Sequence, residues 1–321
     1  MLMTSESAAV LYKCTGCLAC HEACRHKINV EDALIQGRKM AVSLGAAPYP
    51  AENFLVGKRE LLAPLKKIVP KKFFTEGFQV IYFPGCSAVN GLKESVKAVF
   101  NVIEKLGIEY IGVSEASASC CGYPLYAAGF HKEFAEVVRE RGKAFAKYRS
   151  VVIHSACCAH TMRNIYPLFG FEWKGKIDML HEVVAPILFK TGMKKHGGKK
   201  TGPDAGREVN GGVAYHDSCF LGRHLNDYDL PRKMLEYATG KRPLELRKNR
   251  ENSLCCGAGG GYSHSNPEGS AGCVNNLMEM ARDTGAAVLV NACTSCLSHM
   301  KTNSNGDIKA LDLMEIIAGA L

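Results

Sequence analysis

The sequence predicts an α/β protein, with a small helical N-terminal module followed by two copies of one parallel-sheet domain. The first observation behind this is a cysteine pattern that occurs twice. One copy reads Cys219, Cys255-Cys256-Gly257 and Cys293-Thr294-Ser295-Cys296; the other reads Cys86, Cys120-Cys121-Gly122 and Cys157-Cys158-Ala159-His160. Corresponding cysteines stand 133 (86 to 219), 135 (121 to 256) and 136 (157 to 293) residues apart. Such a period is too long for a solenoid and fits duplication of a whole domain. The second observation is that strand-length apolar runs alternate with helix-length periodic segments, which implies parallel pairing with helices packed on the sheet. The third is that each strand leads towards a cysteine, and in parallel sheets ligands collect at the carboxyl ends of strands.

Residues 1–75 form the first module, with one compact cysteine motif, a helix over Val30–Leu44 and a Pro-containing basic stretch. In residues 76–195, Gln79–Phe83 reads as a strand before Cys86, Leu92–Leu106 as a helix and Tyr110–Val113 as a strand running on to Cys120-Cys121. Glu133–Tyr148 reads as a helix and Val151–His154 as a strand followed at once by Cys157. Lys194–Asn210, rich in Gly, Lys and Pro, reads as a linker. Residues 208–321 repeat the scheme: strand Val213–His216, helix Pro231–Tyr237, strand Leu244–Arg247, helix Asn275–Thr284 and strand Ala287–Asn291. A helix over Ile308–Ala318 closes the chain. In each copy three strand ends can bring the cysteines to one point, and two such cradles can face each other.

Fifteen cysteines in 321 residues mean disulfides or metal. The N-terminus lacks a basic start followed by an apolar run, so a reducing cytoplasm is the expected setting, where clustered cysteines favour metal or redox chemistry. Adjacent cysteines also reach relaxed bridge geometry poorly. No apolar stretch is long enough to span a membrane. The net charge is +9, with basic residues concentrated in Lys58–Lys72 and Lys190–Arg207. These are solvated segments or docking surfaces for an acidic partner or membrane. Nucleic acid is disfavoured, because one Trp and basic runs without interleaved aromatics offer no stacking platform.

Cys14-x-x-Cys17-x-x-Cys20-x-x-x-Cys24 matches the ferredoxin pattern for [4Fe–4S] ligation. It departs from that pattern in having Arg25 where Pro usually follows, and no second motif occurs before Cys86. Cys24 either completes the same cluster or reaches a neighbouring one. In the second copy, five thiolates (Cys219, Cys255, Cys256, Cys293 and Cys296) exceed what a tetrahedral metal or a simple cubane uses.

YHDSCFLGRHLNDYDLPRKML, ENSLCCGAGGG and VNACTSCLSHM resemble the second cysteine-rich (CCG) domain of the heterodisulfide reductase B/D family, and YFPGCSAVNG and SCCGYPLYAAG resemble the first. Iron–sulfur subunits of glycolate, lactate and glycerol-3-phosphate dehydrogenases belong to the same group. The resemblance covers essentially the whole chain. It implies Rossmann-like α/β cysteine-rich domains after a ferredoxin-like module, and a non-cubane [4Fe–4S] cluster on all five cysteines of the second copy. The implied function is that of an iron–sulfur subunit of a redox complex, moving electrons between a partner and a two-electron substrate such as a disulfide. The rival is a carrier linking a flavin dehydrogenase of 2-hydroxy acid type to quinone or another acceptor. No flavin motif occurs in the chain, so a flavoprotein, another iron–sulfur protein or a membrane-bound subunit would be the partner.

The first copy is altered. Counting from Cys121, Cys157 matches Cys293 and His160 takes the place of Cys296; alternatively Cys158 is the second cysteine, with Ser155 in place of the first. Cys86, Cys120, Cys121, Cys157 and Cys158 hold a second iron–sulfur cluster, or three of these thiolates with His160 hold zinc, or the site is structural. His160→Cys is expected to raise iron content if this is a degraded cluster site. Gly257–Gly261 lacks a phosphate-loop spacing and points to close backbone approach. His216, Asp217, Arg223 and His224 are candidates for proton supply, anion binding or charge neutralisation beside Cys219. His154, His264 and His299 are weaker candidates, and Cys273 falls outside every pattern.

Overall fold

The computed structural model describes residues 3–54, 61–74, 76–191 and 212–321. The whole of the linker Lys194–Asn210, most of the second basic stretch and part of the first lie outside them. The N-terminal module holds helices α1 (Ser5–Ala9), α2 (Ala19–Ala23), α3 (Val30–Ser43) and α4 (Leu62–Ile68). The side chain of Asn29 caps α3 by accepting from the Asp32 amide. Glu31, Ile35, Arg38 and Ala41, spaced three or four apart, are its buried stripe.

The first domain runs β1 (Val80–Phe83), α5 (Cys86–Gly91), α6 (Lys93–Lys105), β2 (Ile111–Gly112), α7 (Tyr123–Ala127), α8 (His131–Phe145), β3 (Ser150–Ile153), α9 (Ala156–His160), β4 (Lys176–Met179) and α10 (Leu180–Leu188). The second runs β5 (Gly212–Tyr215), a π-helical turn (Phe220–His224), α11 (Leu230–Thr239), β6 (Leu244–Glu245), α12 (Tyr262–Ser265), α13 (Pro267–Asp283), β7 (Ala286–Asn291), α14 (Thr294–Asn303), β8 (Lys309–Asp312) and α15 (Leu313–Ala320). Both sheets are parallel and have the same order, β2-β1-β3-β4 and β6-β5-β7-β8. The central strands VIYF and SVVI are almost wholly buried, as expected of strands covered on both faces.

Each sheet has a fourth strand, β4 or β8, that the periodicity did not reveal. The C-terminal segment read as one helix, Ile308–Ala318, is a strand and then a helix. Asp312 makes the break: its carboxylate accepts from the Met314 amide (2.8 Å), and Glu315 accepts from the Asp312 amide (3.2 Å). This capping box starts α15. Helix α13 begins eight residues before the expected Asn275, where Pro267 follows the Asn266 cap.

The two domains pack reciprocally. Helix α15 of the second lies on α6 of the first, while α10 of the first lies on α11 of the second. Likewise α14 meets α5, and α9 meets the Phe220–His224 turn. This is the relation expected of a pseudo-two-fold axis. Buried polar contacts cross the interface: His154 Nε2 to Asp312 (3.1 Å), Ser95 Oγ to Glu315 (2.7 Å) and His181 Nε2 to Asp227 (2.7 Å). No helix of the described residues is long and apolar enough to cross a membrane.

Candidate redox centre

In the second copy Cys219 follows β5, Cys255 and Cys256 follow β6, and Cys293 caps α14, which carries Cys296. The parallel order brings these strand ends together. The thiols form a chain of contacts: Cys219 on Cys255, Cys255 on Cys256, Cys256 on Cys296 (sulfurs 3.1 Å apart) and Cys296 on Cys293. Hydrogen bonds from Cys255 and Cys296 hold the Cys256 thiol well below its ordinary value. The hydrogen bond from Cys296 does the same for Cys293, aided by the amides of Cys296 and Cys157.

In the first copy Cys86 contacts Cys120, and Cys121 contacts Cys120, Cys157 and Cys158. All five thiols therefore converge. Ser155 caps α9 just as Cys293 caps α14, each two residues beyond its strand. Ser155 is thus the positional counterpart of Cys293, and Cys158 that of Cys296; Cys157 corresponds to Ser295, and His160 to Ser298. The alternative in which His160 replaces Cys296 is not the one the helices follow. His160 faces the second domain, with its ring 4.4 Å from that of His224 and its Nδ1 accepting from the Asn164 amide (3.0 Å). Burial, with His224 beside it, pushes its pKa down to about 3.

The two sets open onto one cavity of about 350 Å³, walled also by Tyr123 and Phe220. They meet near the pseudo-two-fold axis, where the Cys157 amide donates to the Cys293 sulfur. Ser155 Oγ lies there too, 3.4 Å from Ser295 Oγ and 3.9 Å from Cys293 Sγ.

Gly16 and Leu18, both at positive φ, turn the N-terminal cysteine loop. Cys17 lies in hydrogen-bond contact with Cys255, which raises its pKa. Cys14 accepts from the Gly16 amide (3.4 Å). Cys20 is exposed. Cys24 is half-buried, and the amides of Ile28, His26 and Lys27 hold its thiol below the ordinary value. Arg223 donates to the Cys17 carbonyl and to those of Glu251 (3.1 Å) and Ser253 (2.8 Å). His224 donates to the Gly16 carbonyl (2.9 Å). These two residues therefore fasten the loop to the second domain instead of facing a substrate anion.

Gly257–Gly261 makes the close approach the sequence suggested, but to the loop backbone. A Cβ on Gly260 would lie 2.3 Å from the Cys14 carbonyl oxygen, and one on Gly259 2.3 Å from that of Thr15. Asp217 is engaged by Arg232 at 2.6 and 2.7 Å. His216 Nε2 donates to Leu254 O (2.9 Å) while Nδ1 accepts from the Asn291 amide (2.6 Å). Asn291 in turn accepts from the Cys293 amide (2.6 Å), which positions that cysteine. His154 bridges Tyr82 and Asp312, His264 packs edge-on against Phe54, and His299 bonds Ser270 at the cavity wall. Cys273 lies half-buried outside both sets. Sequence reasoning missed Glu31, Arg38 and Asn291, whose roles depend on contacts across modules.

The donor chemistry fits an iron–sulfur group. Soft thiols predominate at the points of convergence, with the Ser155 and Ser218 hydroxyls beside them, and they form chains of contacts that suit several irons better than one ion. Among the described residues no three His, Cys, Asp or Glu side chains close on a single ion position. The Thr294 hydroxyl, buried at the cavity wall, has no partner among the described residues.

A family model described as a cysteine-rich domain, CCG, matches residues 80–163 and 213–301, and the chain belongs to that family. Among its relatives is a subunit of the dihydromethanophenazine:CoB–CoM heterodisulfide reductase of Methanosarcina barkeri, 26% identical over 329 aligned residues, covering 97% of this chain and 78% of that protein. Another is a subunit of the fumarate reductase (CoM/CoB) of Methanothermobacter marburgensis, 27% identical, covering 96% of this chain and 61% of that protein. Lactate utilization protein A 1 of Bacillus mycoides is 30% identical, covering 70% of this chain and 88% of that protein. The chain is thus an iron–sulfur redox subunit of the oxidoreductase kind.

Proposed function

We propose that the chain is the substrate-handling subunit of a heterodisulfide reductase-like complex, exchanging electrons between a partner subunit and a disulfide in the central cavity. The observation that carries this reading is that nine of the ten thiols of the two sets, all but Cys293, line one cavity, and that the sets touch through Cys157 and Cys293. Cys219, Cys255, Cys256, Cys293 and Cys296 would hold a non-cubane [4Fe–4S] cluster, and Cys86, Cys120, Cys121, Cys157 and Cys158 a second iron–sulfur cluster. Cys14, Cys17, Cys20 and Cys24 would hold a cubane. Such clusters supply one-electron steps and iron with affinity for soft sulfur.

The chain's own residues do the rest. Tyr123 and Phe220 form part of the cavity wall. Asn291 and Arg223 hold Cys293 and the N-terminal loop in place. The Cys17–Cys255 contact sets the N-terminal loop directly against the second thiol set. Reduction of a disulfide takes two electrons and two protons and yields two thiols. The partner is a flavoprotein or iron–sulfur subunit in the cytoplasm, itself free to lie at a membrane. The exposed Lys66, Lys67 and Lys71 of the first basic stretch are its docking candidates.

The test is iron, acid-labile sulfide and zinc per chain on anaerobically purified protein, with Mössbauer spectra of the same sample. About twelve irons and no zinc support the reading, counting one cubane and two four-iron sites. About eight irons and one zinc would overturn it. That result would favour a carrier between a flavin dehydrogenase and quinone.

A further inference from the structure

The chain has a net charge of +9, yet none of the described residues that line the central cavity is Lys, Arg, Asp or Glu. Arg38 and Arg223, both buried, bond backbone carbonyls and lie outside that lining. Apart from the thiols, the polar lining consists of hydroxyl and amide groups and one imidazole. Ser295, Ser298 and Thr302 follow one face of α14, three and four residues apart, and Ser87 and Asn90 of α5 line the same cavity. The two helices are in contact, and a Cβ on Gly91 would fall 3.3 Å from Ser298 Oγ. Asn90 and Thr302 are exposed, so the mouth lies between these helices.

His299 brings no charge to this wall. Its Nδ1 accepts from the Asn303 amide at 3.1 Å, which leaves the ring proton on Nε2, donated to Ser270 Oγ at 2.9 Å. Thr294 Oγ1 is buried in the wall without a partner among the described residues. It is one more hydrogen-bonding group left for the cavity's contents.

Such a lining separates substrates by charge. An anion that leaves water for this cavity loses its hydration and finds no cation in return, which is costly. The thiolates needed to hold iron bring negative charge to the same space and repel an anion further. An ammonium group also loses its hydration, and finds no carboxylate to accept its hydrogen bonds. Hydroxyl and amide groups exchange water for serine, threonine and asparagine side chains at little net cost.

We propose that the substrate disulfide is uncharged over the part that enters the cavity, and carries hydroxyl or amide groups that the mouth between α5 and α14 binds. The proposal rests on the reading that a disulfide is the substrate, and names its chemical class. Reduction takes two electrons from the partner subunit and two protons from solvent. The S–S bond breaks, and two uncharged thiols leave by the same mouth.

The experiment uses the iron-loaded full chain and two matched series of probes. Thiodiglycol, thiodipropionate and bis(aminoethyl) sulfide are neutral, dianionic and dicationic thioethers with no S–S bond to reduce, and their affinities are measured by calorimetry. Hydroxyethyl disulfide, dithiodipropionate and cystamine are the corresponding disulfides, and their reduction is followed with a reduced viologen as one-electron donor. Thiodiglycol should bind at least about tenfold tighter than either charged thioether, and hydroxyethyl disulfide should have the highest kcat/KM, through a lower KM. Thr302→Lys places a cation at the mouth, where the Thr302 hydroxyl bonds Ser298 O of its own helix. It should strengthen thiodipropionate binding several-fold relative to thiodiglycol. Asn90→Lys, on the facing helix, carries the same test if Thr302→Lys fails to load iron. A charged thioether that binds as tightly as thiodiglycol, or a thiodipropionate affinity unmoved by the lysine, overturns the proposal, while reduction of the disulfides keeps the reading beneath it. Reduction of none of the three disulfides removes that reading, and the proposal with it.

Discussion

Replacing Arg38 by Met should release the N-terminal cysteine loop from both cysteine-rich domains. Arg38 is 2% exposed. Its Nε and Nη2 donate to Leu11 O at 2.9 and 2.7 Å, and Nη2 also to Cys14 O at 3.1 Å. Nη1 donates to Ala127 O at 2.6 Å in the first domain and to Gly260 O at 2.8 Å in the second. One guanidinium thus ties three modules through four carbonyls. Hydrogen bonds to a charged donor contribute about 1.5–3 kcal/mol each, but burying the charge costs several kcal/mol in return. Arg38→Met takes the charge away and leaves four buried carbonyl oxygens short of a donor, a net loss of about 3 kcal/mol. Lysine should not rescue, since an ammonium with three donors cannot reproduce the planar fork.

The assay is hydrogen–deuterium exchange of the amides in 11–17, 127–129 and 257–261, because a chain of several modules need not unfold in one step. At 1.4 kcal/mol per tenfold, exchange there should quicken roughly 100-fold or more, with the strands β1, β3, β5 and β7 little changed. Less than about a tenfold change in these segments would refute the idea that this side chain carries the junction.

Gly260→Ala should remove about four irons, those of the cubane. Its Cβ would meet the Cys14 carbonyl oxygen at 2.3 Å, and its φ of +62° disfavours any side chain. Gly272→Ala, with nothing within 4 Å, is the matched control, and iron per chain is the readout. Cys158→Ser should remove the irons of the first set, whereas His160→Cys should leave iron content unchanged, because position 160 corresponds to Ser298 and faces His224. A rise in iron on His160→Cys would restore the other alignment.

Much of the fold was legible because the strands that build the site are apolar and terminate at cysteines. The edge strands β4 and β8 were not, since KIDM and KALD mix charge with apolar residues and lack the run that marks a doubly covered strand. The thiols themselves stood out by type and repetition. Arg38 and Glu31 did not, because a lone Arg or Glu on an amphipathic helix ordinarily reads as its solvated face; Asn291, at the end of β7, did not because its His216 partner is distant in sequence. Only the packing of α3 between the two domains turns that face inward. Arg223 and His224 were noticed for their charge beside Cys219, yet each bonds a backbone carbonyl of the N-terminal loop, Cys17 or Gly16, 206 and 208 residues away in sequence, and no local pattern encodes that.

The altered first copy is best understood through the pseudo-two-fold axis. The helix caps and the second helical positions of α9 and α14 both meet that axis. The second copy places cysteine at the cap and serine two residues on, as Cys293 and Ser295. The first copy does the reverse, with Ser155 and Cys157. Two thiols and two hydroxyls therefore meet at the axis, and each copy keeps five thiols. What the exchange alters is symmetry, not thiol number. Cys157 reaches Cys121 through its side chain while its amide donates to Cys293, so it belongs to one set and touches the other. The cavity between the sets thus has two unlike faces, and one residue joins them. An exact repeat would have placed a thiol at the Ser155 position, against Cys293, and left none in the bridging position that Cys157 holds.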